Sequence, residues 1–296
     1  MVHITVVPAS NRTGEATIRS LLADPSKPSV KGVYRNLSKV LAEFASNDRF
    51  EAVQGTVDDA STLDFSGSDA ILNITPMTVD EVDLFQHALT QSNNVKAAAQ
   101  KAGVKRLVLL SSVGAQYDSG TGEVITNHAA EVSLKDAAPE VVFVRCHYFV
   151  ENWATALETI NAGFFYSTIT PLDFATPMIA VKDIGETLAG ELVAVGNPLS
   201  STPYIFELHG PVSTSLDVKK AFEEVLGREI EVRAVPTEGL LDFYNAVFPP
   251  HVAKSYVEMT ESFLPGGIMF ENPNPTGEIR HGKTGMVEVF RQWFGA

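Results

Sequence analysis

Short apolar runs alternate with helical stretches over the first two-thirds of this 296-residue chain. The runs HITVV, VKGVY, FEAVQ, DAILNIT, RLVLLSS and VVFVRC have the length and apolar character of strands. Between the fourth and fifth runs, Val82, Phe85 and Leu89 recur at helical spacing, and that helix is expected to end at Gly103. Strands that alternate with helices predict right-handed crossovers and a parallel sheet.

After about residue 150 the pattern changes. PMIAVKDIGETLAGELVAV predicts a turn and a helix, YIFELHGP a late strand, and EIEVRAV a short strand after a helix that stops at Gly227. The sequence therefore predicts an α/β fold with a doubly wound, mainly parallel Rossmann sheet and a smaller C-terminal α/β substrate-binding region. We place the core at 1–210, with 147–178 contributing to the substrate pocket, and the C-terminal cap at 211–296.

Charge and cysteine content narrow the function classes. A net charge of −14 argues against nucleic acid and anionic membrane surfaces as partners. A single cysteine, Cys146, leaves too few thiols for a disulfide framework or a zinc–thiolate site, and we expect it to be buried and inert. The seven histidines are scattered without metal-ligand spacing, so no metal is expected. MVHITVV begins directly as a strand, with no signal peptide and no membrane-spanning run, which predicts a cytoplasmic protein.

The loop PASNRTG joins the first predicted strand to the first predicted helix. A dinucleotide-binding loop has glycines at three places, for the turn, for approach of the pyrophosphate and for helix packing. Pro8 and Asn11 occupy two of them and Gly14 remains; Asn11 could replace a turn glycine, because asparagine tolerates positive φ. The alternative is an ordinary turn with an Asx cap at Asn11. The cofactor contacts predicted on this loop are Ser10, Asn11, Arg12, Thr13 and Gly14.

The end of the second strand bears on which dinucleotide would bind. An acidic residue there would hold a ribose 2′-hydroxyl, whereas arginine accommodates a 2′-phosphate. Here Arg35 ends the strand, with Lys39 close behind and Arg12 expected opposite. A guanidinium suits phosphate through paired, charge-assisted hydrogen bonds. This pattern favours NADP(H), and the alternative is a solvated surface arginine.

At this point the chain resembles the NmrA-like family, an atypical branch of the short-chain dehydrogenases/reductases. The resemblance rests on PASNRTG, GTVDDASTL, DAILNITP, NVKAAAQKAGVKRLVLLSSVGA, NHAAEVSLKD, FVRCHYFVENW, PMIAVKDIGETLA and ELHGPVSTSLDVKKAFEEVLGREIEV, in this order. It implies a Rossmann core, a small C-terminal substrate region and binding of NADP(H) or NAD(P)H. The chain departs from the parent group in lacking two loop glycines and in lacking a Tyr-x-x-x-Lys, where it reads TNHAAE.

The carboxyl ends of strands four and five face the nicotinamide in a Rossmann reductase. We predict Thr75, Pro76 and Ser111 there as cofactor contacts and Ser112 as a group that orients a substrate oxygen; alternatively, these hydroxyls bind strand-end backbone. His128 lies near the place of the missing tyrosine and could deliver a proton, because imidazole titrates near neutral pH. Alternatively, it faces solvent or is satisfied locally. Tyr117 is a further candidate donor.

The segment CHYFVENW follows strand six and should face the nicotinamide pocket. Tyr148, Asn152 and Trp153 match positions that shape the pocket in the family, and Tyr148 is predicted to contact the cofactor; plain core is the alternative for Trp153. The C-terminal aromatics could close the pocket, although we expect most of them to be cap core; they include Phe243, Tyr244, Phe248 and Phe263.

The resemblance implies three functions. The first is an NADPH-dependent reductase of a small aromatic or conjugated substrate, such as a quinone, an imine or a dye. The second is a dinucleotide-binding redox sensor that acts through a protein partner without turnover. The third is a non-redox biosynthetic enzyme, such as a cyclase or isomerase, that retains the cofactor as structure.

Overall fold

The computed structural model describes residues 1–273 and 277–295. The strands are β1 His3–Val7, β2 Ser29–Tyr34, β3 Phe50–Gln54, β4 Ala70–Ile74, β5 Arg106–Ser112, β6 Glu140–Cys146, β7 Tyr148–Phe149, β8 Phe164–Ser167, β9 Thr176–Ile179, β10 Tyr204–His209, β11 Val212–Ser213, β12 Glu231–Ala234 and β13 Ile279–His281. All six predicted strands of the N-terminal part form, as β1 to β6.

The helices begin with α1 Arg12–Ala23, which starts directly after the loop that follows β1. The others are α2 Ala42–Ala45, α3 Leu84–Ala102, α4 Ile125–Leu134, α5 Val181–Val193, α6 Ser215–Leu226, α7 Leu240–Asn245, α8 Pro250–Phe263, α9 Ile268–Glu271 and α10 Met286–Phe294. Helix α3 ends at Gly103 with φ 69°, as the sequence predicts. Among the described residues, no helix is long and apolar enough to cross a bilayer.

The central sheet has eight strands in the order β13-β10-β6-β5-β4-β1-β2-β3. All its neighbouring pairs are parallel. Strand order reverses at β1, where β2 and β3 run to one side and β4 to β6 to the other. The predicted doubly wound Rossmann sheet is confirmed, and in such a sheet a ligand binds beyond the carboxyl ends at this reversal.

Two apolar layers cover the faces of the sheet. One contains Ile18 and Leu21 of α1 and Leu188 of α5, packed on residues such as Val6 and Leu72. The other contains residues of α3 and α4, such as Val95 and Ala130, packed on Leu107 and Leu109 of β5. Alternate residues of each strand therefore face opposite layers, as a strand buried on both faces requires.

A third apolar cluster lies outside the sheet and combines two stretches of the chain. Trp153, Phe165 and Met178 pack there with Phe222 of α6 and Phe290 of α10. This packing joins the 147–178 segment to the C-terminal region, and its assignment to a substrate pocket stays a prediction. The 211 boundary remains a prediction, since β13 returns from the C-terminal region and pairs with β10 in the main sheet.

One segment differs from its prediction. Thr176–Ile179, expected as a turn before α5, is strand β9, which pairs with β7 and β11. Both partners are two-residue strands distant in sequence. A strand that depends on such short, distant partners leaves no local pattern in the sequence.

Candidate active site

The loop after β1 holds its helix through Asn11. The Asn11 side chain accepts a hydrogen bond of 2.7 Å from the Gly14 amide, so Asn11 is the N-cap of α1. Its φ is −100°, in the extended region, so the expectation that it replaces a turn glycine at positive φ is wrong. The alternative, an Asx cap, is what the loop adopts, because a side-chain carbonyl satisfies the helix without left-handed backbone.

Gly14 has the packing role expected of the last glycine of a dinucleotide loop. A Cβ at this position would lie 2.9 Å from the carbonyl oxygens of both Pro8 and Ala9. Any side chain would therefore push α1 away from the loop. The close approach keeps the first turn of α1 against the end of β1, next to the reversal of strand order.

The first turn of α1 retains donors for an anion. A helix leaves its first N–H groups without intrahelical acceptors, and the Asn11 cap takes the amide of Gly14. The amides of Arg12 and Thr13 precede that cap contact in the same turn, where the helix dipole favours negative charge. Ser10 is exposed at this loop, and Thr13 is buried.

Arg12 and Arg35 have different surroundings at this edge. Arg12 Nη1 donates to the Glu151 carbonyl at 3.1 Å, beyond β6. Arg35 is exposed at the end of β2, on the other side of β1. The Arg12 guanidinium is therefore engaged by a backbone carbonyl, and its expected placement opposite Arg35 stays a prediction.

Asp58, which the sequence reasoning missed, lies after β3 close to Arg35. Burial raises the pKa of its carboxyl, but hydrogen bonds from Gln91 and Thr56 and the nearby His87 and Arg35 charges outweigh it and lower the pKa. Gln91 Nε2 donates to Asp58 at 2.7 Å. The β2–β3 edge therefore has an ionised carboxylate as well as a guanidinium.

Thr75 stands at the end of β4 with an unused hydroxyl. Its Oγ1 is buried and has no hydrogen-bond partner within the described part of the chain. Pro76 follows it and is half-buried. A buried hydroxyl without a partner costs free energy, so its retention beside the strand reversal fits a site completed by a ligand. Together with the Gly14 packing, the residues present fit a bound dinucleotide.

The end of β5 differs from the end of β4, because its serine hydroxyls donate hydrogen bonds to other groups of the protein. Ser111 Oγ donates to Glu131 of α4 at 2.6 Å, and Ser112 Oγ donates to the Val113 carbonyl at 2.9 Å. Glu131 also accepts two hydrogen bonds from Arg145 of β6, at 2.8 and 2.6 Å. The side chains of Glu131 and Arg145 are only 9% and 8% exposed, so this is a buried, two-pronged ion pair.

This ion pair was missed at the sequence level, although a signal was present. Arg145 interrupts the otherwise apolar strand VVFVRC, and a charge in a strand covered on both faces needs a partner. Glu131 lies on the helix before that strand. The hydroxyl of Ser111 is engaged by this pair rather than exposed toward a cofactor.

The two further proton-donor candidates have different surroundings. His128 Nδ1 lies 2.8 Å from the carbonyl oxygen of Ala115, which can only accept, so Nδ1 donates in this hydrogen bond. Its ring lies 6.0 Å from that of Phe85. The Tyr117 hydroxyl donates to the Asn272 carbonyl and ties the loop after β5 to the C-terminal region. His128 therefore keeps a ring nitrogen for chemistry, and the Tyr117 hydroxyl is occupied.

The segment after β6 lies among aromatic rings. The Tyr148 ring lies 5.9 Å from Trp153 and 6.4 Å from Phe263. Trp153 is 3% exposed and belongs to the third apolar cluster, as in its plain-core alternative, and Asn152 is exposed. Burial raises the pKa of the Tyr148 hydroxyl. Most C-terminal aromatics are cap core, as expected; Phe243, Tyr244 and Phe248 pack around Leu240, and Phe263 packs on the third cluster.

A buried carboxyl, Glu123, lies between the loop after β5 and helix α8. Burial raises its pKa to about 7, with a smaller opposing effect from Ser255, whose hydroxyl lies 3.4 Å from the carboxyl. Gly122 makes this approach possible, because a Cβ there would lie 2.0 Å from the Ser255 carbonyl. The sequence gives no sign of Glu123, since its burial depends on α8, more than a hundred residues later.

Three polar side chains converge at the ends of β6 and β10. The ligand-type atoms of His147, Glu207 and His209 all lie within 4.8 Å of one another. The histidines are therefore not all scattered, as their sequence spacing suggested. Cys146, adjacent to them, is buried, and burial raises the pKa of its thiol, which supports the expectation that it is inert.

Comparison with known proteins agrees with this geometry. The sequence model of a family described as NAD(P)H-binding matches residues 9–188. Triphenylmethane reductase from Citrobacter sp., complexed with NADP(H), is similar in structure at 18% identity and a TM-score of 0.75, over 98% of this chain and 99% of that chain. An NADPH-dependent quinone oxidoreductase from Escherichia coli, complexed with NADPH, is similar at 21% identity and 0.73, over 99% and 100%.

NmrA, a negative transcriptional regulator, is similar in structure at 18% identity and a TM-score of 0.70, over 90% of this chain and 83% of that chain. No curated protein matches by sequence. At these identities the structural likeness establishes a shared fold. It confirms the predicted Rossmann fold and agrees with the resemblance to the NmrA-like group, and the family model over residues 9–188 assigns the chain to an NAD(P)H-binding family.

Proposed function

The chain belongs to the NAD(P)H-binding family, and on that premise we propose that it is an NADPH-dependent reductase of a small aromatic or conjugated substrate. The observation that carries the proposal is the set of unused polar groups at the strand reversal. These are the buried Thr75 hydroxyl, the first-turn amides of α1 and the exposed Arg35. They lie where a Rossmann sheet binds a dinucleotide.

Each group has a distinct role toward the cofactor. The amides of Arg12 and Thr13 bind the pyrophosphate, and Arg35 binds the 2′-phosphate that distinguishes NADPH from NADH. Thr75 bonds the nicotinamide side through its hydroxyl. When bound, NADPH supplies a hydride, and the protein supplies orientation and a proton.

His128 is the residue we assign to the proton. The Ala115 carbonyl accepts the Nδ1 proton and fixes the ring; the imidazolium form of His128 would then give its Nε2 proton to the substrate and return to neutral imidazole. Ser112 and Tyr117, proposed from sequence for the same task, would first have to release the Val113 and Asn272 carbonyls. His128 needs no such exchange.

The aromatic surroundings of Tyr148 support a flat substrate. Tyr148 lies between Trp153 and Phe263, and such rings favour stacked or edge-on aromatic ligands. The similar structures include proteins named for reduction of triphenylmethane dyes and quinones. We therefore propose a quinone, imine or dye-like compound as the substrate class.

The test combines cofactor binding with turnover. NADPH and NADH affinities would be measured by fluorescence titration, and NADPH consumption would be followed with quinone, triphenylmethane dye and imine panels. Arg35→Ala should weaken NADPH binding by about 10- to 100-fold, because a hydrogen bond to a charged group contributes about 1.5–3 kcal/mol, and should leave NADH binding unchanged. Arg291→Ala, which removes an exposed arginine of α10 paired with Glu224, is the matched control.

Loss of NADPH and NADH affinity in equal measure would contradict the role given to Arg35. Tight NADPH binding without consumption on any panel would contradict the reductase proposal. His128→Gln should lower turnover while the affinity for NADPH stays the same. An unchanged turnover rate would remove His128 from the mechanism.

One observation favours a second candidate, a redox sensor that binds the dinucleotide without turnover. Of the hydroxyls at the β5 end, Ser111, Ser112 and Tyr117 all have internal partners. The likeness to NmrA makes a protein partner the accompanying proposal. A sensor should bind oxidised and reduced cofactor with different affinities, and equal affinities with no partner recovered would count against it.

A further inference from the structure

The carboxyl end of the sheet carries a second polar cluster at β6 and β10, which β4 and β5 separate from β1. His147 follows β6, and Glu207 and His209 lie on the adjacent strand β10. Their placement is fixed by the sheet, because β6 and β10 pair with Cys146 beside Leu208 and the His147 amide donates to the Leu208 carbonyl at 3.2 Å. The pairing of β6 with β10 and the His147 amide bond therefore fix the backbone that carries the three side chains.

Strand register places these side chains on one face. Glu207 pairs with Arg145, and Arg145 pairs with Ser111, so these residues lie side by side on the α4 face of the sheet. His209, two residues after Glu207, points to the same face. Arg145 is committed to Glu131, which leaves the carboxylate of Glu207 to the two histidines.

The distances suit one small cation. The Glu207 carboxylate lies 2.9 Å from His209 Nε2 and 3.9 Å from His147 Nε2. A tetrahedral Zn²⁺, with ligand bonds of about 2.0–2.2 Å, holds its ligand atoms about 3.4 Å apart. The observed separations bracket that value, so small side-chain rotations would bring all three atoms to bonding distance. The imidazole rings of His147 and His209 are already in contact, with centroids 4.1 Å apart.

The cluster is rigid at its centre and open at its rim. The side chain of Glu207 is 6% exposed, whereas His147 and His209 are 19% and 16% exposed. A cation could therefore enter from solvent without movement of the backbone. His281 lies alongside on β13, exposed and paired in register with His209.

We propose that His147, Glu207 and His209 form a binding site for one divalent transition-metal ion, of which Zn²⁺ is the best fit. Two imidazoles and one carboxylate are the donor set of open zinc sites, in which a fourth position stays with water. The carboxylate offsets part of the ionic charge, and the neighbouring strands hold the ligands in place. Zn²⁺ binding at these three side chains is measured without cofactor or substrate, so its test is distinct from that of the reductase proposal.

The test uses the full-length protein after treatment with a chelator. Zn²⁺ would be titrated against a chromogenic chelator, and Co²⁺ binding would be followed by its visible absorption, which is strong for tetrahedral sites. We expect one ion per chain. His147→Gln and Glu207→Gln should each weaken Zn²⁺ binding by more than about tenfold, as changes at metal sites do. His251→Gln, at a histidine on α8 outside the cluster, should leave the affinity unchanged.

A second measurement uses the wild-type protein, so it tests the site even if a variant does not fold. Diethyl pyrocarbonate acylates accessible imidazoles, and peptide mass spectrometry reports each histidine. Zn²⁺ should protect His147 and His209 and leave His251 reactive. Zn²⁺ binding of equal strength in the variants and the wild type, no binding at all, or equal acylation with and without Zn²⁺ would each overturn the proposal.

Discussion

The two halves of the sheet differ in whether the polar groups at their carboxyl ends have hydrogen-bond partners within the protein. At the β1–β2–β4 ends, the Thr75 hydroxyl has no hydrogen-bond partner within the described residues, the first-turn amides of α1 precede the Asn11 cap contact, and Arg35 faces solvent. At the β5–β6 ends, Ser111, Glu131 and Arg145 are bonded to one another and buried. The strands are parallel and adjacent throughout, so the difference does not come from the architecture.

This contrast predicts which polar residues affect ligand binding and which affect the stability of the fold. A buried polar group without an internal partner does not stabilise the fold, so its removal should weaken ligand binding without destabilising the protein. A buried, fully bonded charge contributes to the fold, because removing its partner leaves an uncompensated charge. Substitutions in the two halves should therefore have opposite signatures in unfolding and in cofactor titrations.

The largest effect is expected at the buried ion pair. Glu131→Gln leaves Arg145 buried without a charged partner, and we expect the free energy of unfolding to fall by about 3–5 kcal/mol. Urea denaturation followed by far-ultraviolet circular dichroism measures this loss. Glu224→Gln, which breaks the exposed pair with Arg291, should change stability by less than about 1 kcal/mol. Equal effects of the two substitutions would contradict the contrast.

The next effect is a pH dependence that originates at Glu123. Its pKa is about 7 in the folded protein, above the ordinary 4.5, so the folded state retains a proton that the unfolded chain releases. The resulting stabilisation is fully present below pH 4.5 and is lost as the pH rises through 7. The loss amounts to about 3 kcal/mol, since one pKa unit corresponds to about 1.4 kcal/mol.

Glu123→Gln should remove this dependence. Unfolding free energies measured from pH 4 to pH 8 should then fall more steeply in the wild type than in the variant. Glu258→Gln, at another glutamate of the cap, on α8, serves as the control and should leave the slope unchanged. Parallel curves for wild type and Glu123→Gln would show that this carboxyl titrates at its usual pH.

The smallest effect on stability, and the sharpest contrast, is expected at Thr75. Thr75→Val removes a buried hydroxyl without a partner, so the ligand-free protein should become more stable by about 1 kcal/mol while NADPH binding weakens. Thr5→Val, in the same sheet, removes a buried hydroxyl bonded to Ser68 at 2.7 Å and should destabilise by about 1 kcal/mol. Unfolding with and without NADPH measures both effects. A destabilised Thr75→Val protein with full NADPH affinity would reverse the assignment.

The local predictions succeeded where the cause is local. The strands β1 to β6 and the end of α3 at Gly103 follow from apolar spacing and from one glycine. Asn11 was correctly identified as important for the loop, but it was expected to act through a positive backbone φ. It acts instead through its side chain, which accepts a hydrogen bond from the Gly14 amide. Both outcomes were compatible with the same residue type, and only the dihedral angles distinguish them.

The contacts that the sequence analysis did not predict join residues from different elements of the fold. Arg145 and Glu131 are separated by a helix-to-strand connection, and His147 meets Glu207 across sixty residues. Glu123 is buried by a helix that belongs to the cap. None of these pairs has a characteristic spacing along the sequence from which the contact could be predicted.

The sequence by itself determined the alternation of strands and helices, the Rossmann class and the loop in which Asn11 caps α1, because side-chain periodicity and capping act within a few residues. Only the tertiary structure decided which polar groups are bonded internally, which have no partner within the described residues, and which three side chains form the cluster at β6 and β10. Those outcomes depend on strand order and register, which bring distant residues to one edge and cannot be read from local pattern.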